Sequence, residues 1–132
     1  MEYGFRFHVR DKISQMAWCA VIECGQMVAD VYCGSSVACT ESAFVEGAWD
    51  GDYAEMNFED ANFFCGSGGK IVDGADKGFC FATANHVLEK VVIIRNENTL
   101  YVSNSVPFVL AKSGCRLDGE YAHYERDFNS IL

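Results

Sequence analysis

The chain has 132 residues, of which half are hydrophobic and 14% are aromatic, and its net charge is −9. This length predicts one domain, and the hydrophobic content predicts an ordered core. Nucleic acid is excluded as a main partner because phosphate binding needs clustered basic residues, and the ten lysines and arginines here are scattered. The acidity itself is typical of a soluble surface.

The seven cysteines are an odd number. The N-terminus has no basic segment followed by a long apolar run, and no segment approaches the length of a membrane span. The composition therefore predicts free, mostly buried thiols in a reducing cytoplasm, with no membrane as partner. No Cys-x-x-Cys spacing occurs and only three histidines are present, so no metal site is predicted.

Strands dominate the first half of the chain. Residues 3–9 alternate, with Phe5 and Phe7 on one face, which predicts a half-buried strand. Residues 16–23 are apolar on both faces, which is typical of a central strand that is covered on both sides. Further strands, each followed by a glycine-containing turn, are predicted at residues 27–32 and 42–49.

The middle of the chain is rich in glycine. Residues 66–69 (GSGG) are predicted to be a loop, and residues 70–73 and 78–83 to be paired strands around a turn. Residues 65–70 also suggest a phosphate-binding loop. They lack the G-x-x-x-x-G-K-[ST] spacing, however, and no helix is predicted to follow, so a flexible turn is favoured.

A hairpin and a short helix follow. Residues 91–95 and 100–102 are β-branched and aromatic, and they flank Asn96-Glu97-Asn98, a turn sequence. The small polar residues at 103–105 are typical of a helix N-cap, and Pro107 falls in the first turn, where a missing N–H costs little. Gly114 lies where a helix C-terminal cap is expected.

The chain ends in a predicted helix. Tyr121, Tyr124, Phe128 and Ile131 form one apolar stripe. The apolar end favours a chain that continues beyond Leu132 over a complete small protein. We therefore expect residues 1–132 to be a single α+β domain from the N-terminal part of a longer chain. It should contain mostly antiparallel sheet and two short helices near the C-terminus.

Two segments carry a family resemblance. Residues 99–111 (TLYVSNSVPFVLA) and 44–50 (FVEGAWD) resemble the N-terminal domain of asparagine-synthetase-like enzymes. The resemblance implies an N-terminal-nucleophile fold, in which two stacked antiparallel sheets lie between helices. It also implies a glutamine-hydrolysing domain that precedes an ATP-using synthetase domain.

The chain departs from this family at the nucleophile. The family uses a cysteine at the mature N-terminus, whose own amine acts as the base. Here Glu2 stands at position 2, and the first cysteine is Cys19. The resemblance therefore implies a non-catalytic scaffold domain without a cofactor of its own. Its partner would be the C-terminal synthetase-like domain of the same chain, where ATP and magnesium would bind.

Two small sets of residues are candidates for chemistry. Cys80 and His86 lie six residues apart and would serve a stand-alone cysteine hydrolase as nucleophile and base, although a buried cysteine and a loop histidine are the favoured explanation. Ser103, Asn104 and Ser105 would bind an anion at a helix N-terminus, or simply cap the helix. A non-enzymatic binding protein is the remaining alternative.

Overall fold

The computed structural model of the chain describes residues 2–50, 58, 63–75, 77–83 and 90–116. Within them the backbone forms nine strands and one α-helix. In chain order these are β1 (Gly4–Val9), β2 (Trp18–Glu23), β3 (Val28–Cys33), β4 (Ala38–Cys39), β5 (Ala43–Trp49), β6 (Phe64–Val72), β7 (Gly78–Thr83), β8 (Val92–Asn96), β9 (Thr99–Ser103) and α1 (Val106–Ser113). The predicted α+β class with mostly antiparallel sheet is confirmed. The second predicted helix, at residues 121–131, lies outside the described residues.

The strands form two sheets. One has five strands in the order β1-β3-β2-β9-β8, and the other has four in the order β4-β5-β6-β7. The central position of β2 was predicted from its apolar character on both faces. Strands β1 and β3 pair in parallel, while all other pairs are antiparallel. A parallel pair needs a crossover connection. Here the connection runs through β2, which lies on the other side of β3 from β1.

The glycine-rich segment is a strand, and its prediction as a loop was wrong. Residues 66–69 form the middle of β6, which pairs with β5 on one side and β7 on the other. A Cβ at Gly68 would lie 2.3 Å from the Phe44 carbonyl oxygen, and one at Gly69 would lie 2.6 Å from the Phe44 ring. Glycine is required because the neighbouring strand and its aromatic ring approach this closely.

The predicted hairpin and helix are confirmed. Strands β8 and β9 join through a two-residue turn in which Glu97 has a φ of 57°. Helix α1 begins after Ser105, carries Pro107 in its first turn and ends at Gly114, which adopts the left-handed conformation with a φ of 71°. The helix contacts β2, β8 and β9. Val109 is fully buried there.

An aromatic cluster joins the two sheets. The Phe44 ring, on β5, lies 4.7 Å from the ring of Trp18 on β2 and 5.2 Å from that of Phe5 on β1, measured between centroids. Phe81, on β7, stacks on Trp18 at 5.9 Å. Phe44 and Trp18 are fully buried. Offset and edge-to-face pairs of this kind stabilise beyond their area burial, so this cluster holds the two sheets together.

Candidate functional site

The candidate residues at the start of α1 have defined structural roles. Ser105 caps the helix, because its hydroxyl oxygen accepts a hydrogen bond from the Phe108 N–H at 3.4 Å. The Ser103 hydroxyl donates to the Trp18 carbonyl oxygen and accepts from the Ser105 N–H at 3.0 Å. Both hydroxyl groups therefore fix the corner between β9 and α1.

Asn104 ties this corner to the segment that enters β2. Its side-chain oxygen accepts from the Trp18 N–H, and its amide nitrogen donates to the Met16 carbonyl oxygen, both at 2.9 Å. The side chain satisfies two main-chain groups that have no partner in the β ladder at that point. The Asn104 side chain therefore links the start of β2 to the end of β9.

Beside this corner runs a buried chain of polar groups. The indole N–H of Trp18 donates to the Ser67 hydroxyl oxygen at 2.9 Å, and that hydroxyl donates to Glu46 Oε1 at 2.7 Å. Ser67 is 1% exposed and Glu46 is 7% exposed. They face each other across β5 and β6. Burial of a carboxylate is costly without donors, and the Ser67 hydroxyl is one such donor to Glu46.

A cleft of about 410 Å³ opens onto these groups. Its described lining consists of Met16, Glu46, Ser67, Lys90, Val92, Asn104 and Val106. Met16 and Lys90 are the exposed members of the set. The lining combines apolar side chains with a nearly buried carboxylate and an exposed lysine, which suits a ligand that carries polar groups of its own. The predicted candidate Asn104 lies here, whereas Glu46 and Ser67 were not predicted.

The proposed Cys80 and His86 pair is only half described. Cys80 lies on β7 opposite Lys70 of β6, and it is half-buried. His86 lies outside the described residues, so their pairing stays a prediction. Where the structure describes the chain, histidine, cysteine, aspartate and glutamate nowhere form a group of three that could hold a metal ion.

The seven thiols differ in exposure. All are free, as predicted, but only Cys19 and Cys33 are buried, Cys24 and Cys39 are exposed, and the other three are half-buried. The expectation of mostly buried thiols was therefore wrong. The two exposed thiols lie at the ends of strands: Cys24 follows β2 and Cys39 ends β4. Burial raises the pKa of Cys19 to about 11, which keeps that thiol protonated at neutral pH.

A second charged group lies on the other sheet. Asp30 of β3 accepts hydrogen bonds from the Arg6 guanidinium and from His8 Nε2, the latter at 2.9 Å. The hydrogen bond from Arg6 is the largest influence on Asp30 and lowers its pKa from the ordinary 3.8 to about 2. Both partners lie on β1, so this carboxylate clamps the parallel pair β1–β3.

This cluster predicts a pH dependence. Because the pKa of Asp30 is lower in the folded chain, its contribution to stability is full above pH 3.8 and is lost as the pH falls toward about 2. We expect Asp30→Asn to flatten the dependence of the unfolding free energy on pH across that interval, as measured by urea denaturation. Asp11→Asn, in the exposed turn after β1, is the matched control. Equal slopes in the parent and Asp30→Asn would contradict the clamp.

We compared the chain with protein-family models, curated proteins and solved structures, and no match was found in any of the three. In the part of the chain that the structure describes, no helix is long and apolar enough to cross a membrane. The sequence resemblance described above therefore remains the source of a family hypothesis.

Proposed function

We propose that this chain is a non-catalytic, glutaminase-like scaffold domain of an ATP-dependent, asparagine-synthetase-like ligase that forms amide bonds. The observation that carries the proposal is that polar side chains of the candidate site form hydrogen bonds within the protein. Ser67 donates to Glu46 and accepts from Trp18 while 1% exposed. In this proposal the hydroxyl supports the fold, because Glu46 accepts its proton and its oxygen accepts from the Trp18 indole.

The thiols and the N-terminus support the same view. Cys19 is the first cysteine of the chain and is fully buried in β2, with its pKa raised to about 11 by burial. A nucleophilic cysteine needs an accessible thiolate. Glu2, which is exposed, offers a carboxylate where the family has its nucleophile. In this proposal the domain has retained the fold because the fold supports a second domain.

The architecture is compatible with the glutaminase-like fold. That fold has two stacked antiparallel sheets between helices. The ring contacts between Phe44, Trp18 and Phe5, together with the packing of α1 on β2, β8 and β9, are what such an arrangement requires. The parallel pair β1–β3, at one edge of the five-stranded sheet, departs from that antiparallel arrangement.

The proposal predicts that the protein releases no glutamate from glutamine above the rate of a buffer blank. The assay is enzyme-coupled detection of glutamate with the purified chain. Cys80→Ser and Cys19→Ser are the diagnostic variants, because the rival cysteine hydrolase would use Cys80. Release that disappears in Cys80→Ser would overturn the non-catalytic assignment and support the rival. Release that survives in both variants would point to another nucleophile and would also overturn it.

The scaffold role has a separate test. The reading frame of the natural transcript beyond Leu132 should encode a Ser-Gly-Gly-x-Asp-Ser segment, the sequence that would bind pyrophosphate in an ATP-using synthetase domain. A transcript that stops at Leu132, or that continues into a domain without this segment, would contradict the proposed parent enzyme.

A further inference from the structure

Two thiols from different sheets lie side by side. Cys33 ends β3 of the five-stranded sheet, and Cys39 ends β4 of the four-stranded sheet. Their sulfur atoms are 4.0 Å apart and share a hydrogen bond. Cys33 is fully buried, whereas Cys39 is exposed. The pair therefore joins an exposed residue to a buried one, and the Cys39 thiol also contacts the Val37 carbonyl oxygen at 3.6 Å.

The backbone holds both cysteines in place. The Gly34 N–H donates to the Ala17 carbonyl oxygen at 2.9 Å, and the Val37 N–H closes a turn on the Gly34 carbonyl oxygen at 3.3 Å. The Thr40 N–H then donates to the Ala43 carbonyl oxygen at 2.8 Å, directly after Cys39. The connection between the two cysteines is thus fixed at both ends. Closure into a disulfide would require the sulfur atoms to move from 4.0 Å to about 2.05 Å.

We propose that Cys33 and Cys39 form a dithiol site that reacts with low-molecular-weight disulfides and closes into an intramolecular disulfide bond between the two sheets. The resulting bond would fasten β3 to β4. In a reducing compartment the site would stay open, and under oxidising conditions it would close.

The reaction proceeds in two exchanges. The hydrogen bond with Cys33 raises the pKa of Cys39, so the first exchange proceeds through the small fraction of Cys39 that is deprotonated. That thiolate attacks one sulfur of the reagent, which forms a mixed disulfide and releases one reagent thiolate that takes up the proton Cys39 lost. The Cys33 sulfur, after losing its proton, then attacks the Cys39 sulfur. This breaks the mixed disulfide and releases the second reagent thiolate, which takes up the proton that Cys33 lost. The chain loses two protons and two electrons, and the reagent disulfide is reduced to two thiols.

The surroundings of Cys33 favour the second exchange. Attack from a fixed neighbour is intramolecular and needs no further encounter. The other exposed thiol, Cys24, lies after β2 at the turn to β3, and no such hydrogen bond joins it to another described cysteine. A mixed disulfide at Cys24 should therefore persist, whereas one at Cys39 should resolve.

The test uses the reduced protein and oxidised glutathione under native conditions. Samples are trapped by acid, their free thiols are alkylated, and intact mass and peptide mapping follow. In the Cys24→Ser background we expect the loss of two thiols, no retained glutathione and a cross-linked peptide that joins residues 33 and 39. Cys33→Ala in the same background should instead keep one glutathione on Cys39, and Cys39→Ser should form no cross-link.

Several results would overturn the proposal. Glutathione that stays on Cys39 while Cys33 is present would show that the buried sulfur cannot reach its neighbour. A cross-link that maps to another pair, or that forms only in urea, would also refute it. Because Cys33 is buried, circular dichroism of Cys33→Ala is recorded first. If that variant is unfolded, the mapping of the Cys24→Ser protein alone decides the outcome.

Discussion

Phe44→Ala should lower the unfolding free energy by about 3–5 kcal/mol, the usual cost of removing a buried aromatic ring. Phe44 is fully buried and contacts rings from both sheets, including Trp18 and Phe5. A domain of this size is stable by only about 5–15 kcal/mol. The variant should therefore unfold at a much lower urea concentration, or be partly unfolded without denaturant.

A second phenylalanine provides the control. Phe63 is 56% exposed just before β6, and Phe63→Ala should change the unfolding free energy by no more than about 0.5 kcal/mol. The two variants make the same chemical change, so their difference reports burial. If Phe44→Ala cost less than about 1 kcal/mol, the ring would not be the point at which the two sheets meet.

Local patterns in the sequence were sufficient for much of the fold. The hairpin of β8 and β9 and the capped helix α1 were predicted because turn, cap and helix signals follow each other within about twenty residues. The central strand β2 was predicted because both of its faces are apolar. In each instance the chemistry that decides the structure lies within the segment itself.

The predictions that failed concern contacts between residues that are distant in sequence. Four residues with three glycines were predicted as a loop because glycine lowers strand propensity. Here Phe44, more than twenty residues earlier, makes glycine the residue that fits at positions 68 and 69. Likewise, nothing local to β1 or β3 indicates that they pair in parallel. The two-residue strand β4 is too short to leave a periodic pattern.

The candidate site was predicted in part. Asn104 lines the cleft, and its neighbours cap α1 as the segment's small polar residues indicate. Glu46 and Ser67 were missed, although one signal was present: Glu46 is an acidic residue within the apolar strand β5. A charge on a buried face needs a donor across the sheet, and the register that supplies Ser67 exists only in the folded chain.

Its two buried hydrogen bonds make Ser67 the second critical position for stability. Ser67→Ala removes the hydroxyl that accepts from the Trp18 indole and donates to Glu46. A buried donor without a partner costs about 1–3 kcal/mol, and a hydrogen bond to a charged group contributes about 1.5–3 kcal/mol. We expect a total loss of about 2–4 kcal/mol in urea denaturation. Ser42→Ala, at an exposed serine before β5, should change the unfolding free energy by less than about 0.5 kcal/mol.

A double-mutant cycle separates the two bonds of Ser67. Trp18→Phe removes the indole N–H, so Ser67→Ala in that background no longer leaves a buried donor without an acceptor. The cost of Ser67→Ala should then fall by about 1 kcal/mol or more, a coupling typical of residues in one hydrogen-bond network. The remaining cost reports the bond to Glu46. If the two changes were additive, the indole and the serine would not be coupled. The buried chain would then reduce to the pair of Ser67 and Glu46.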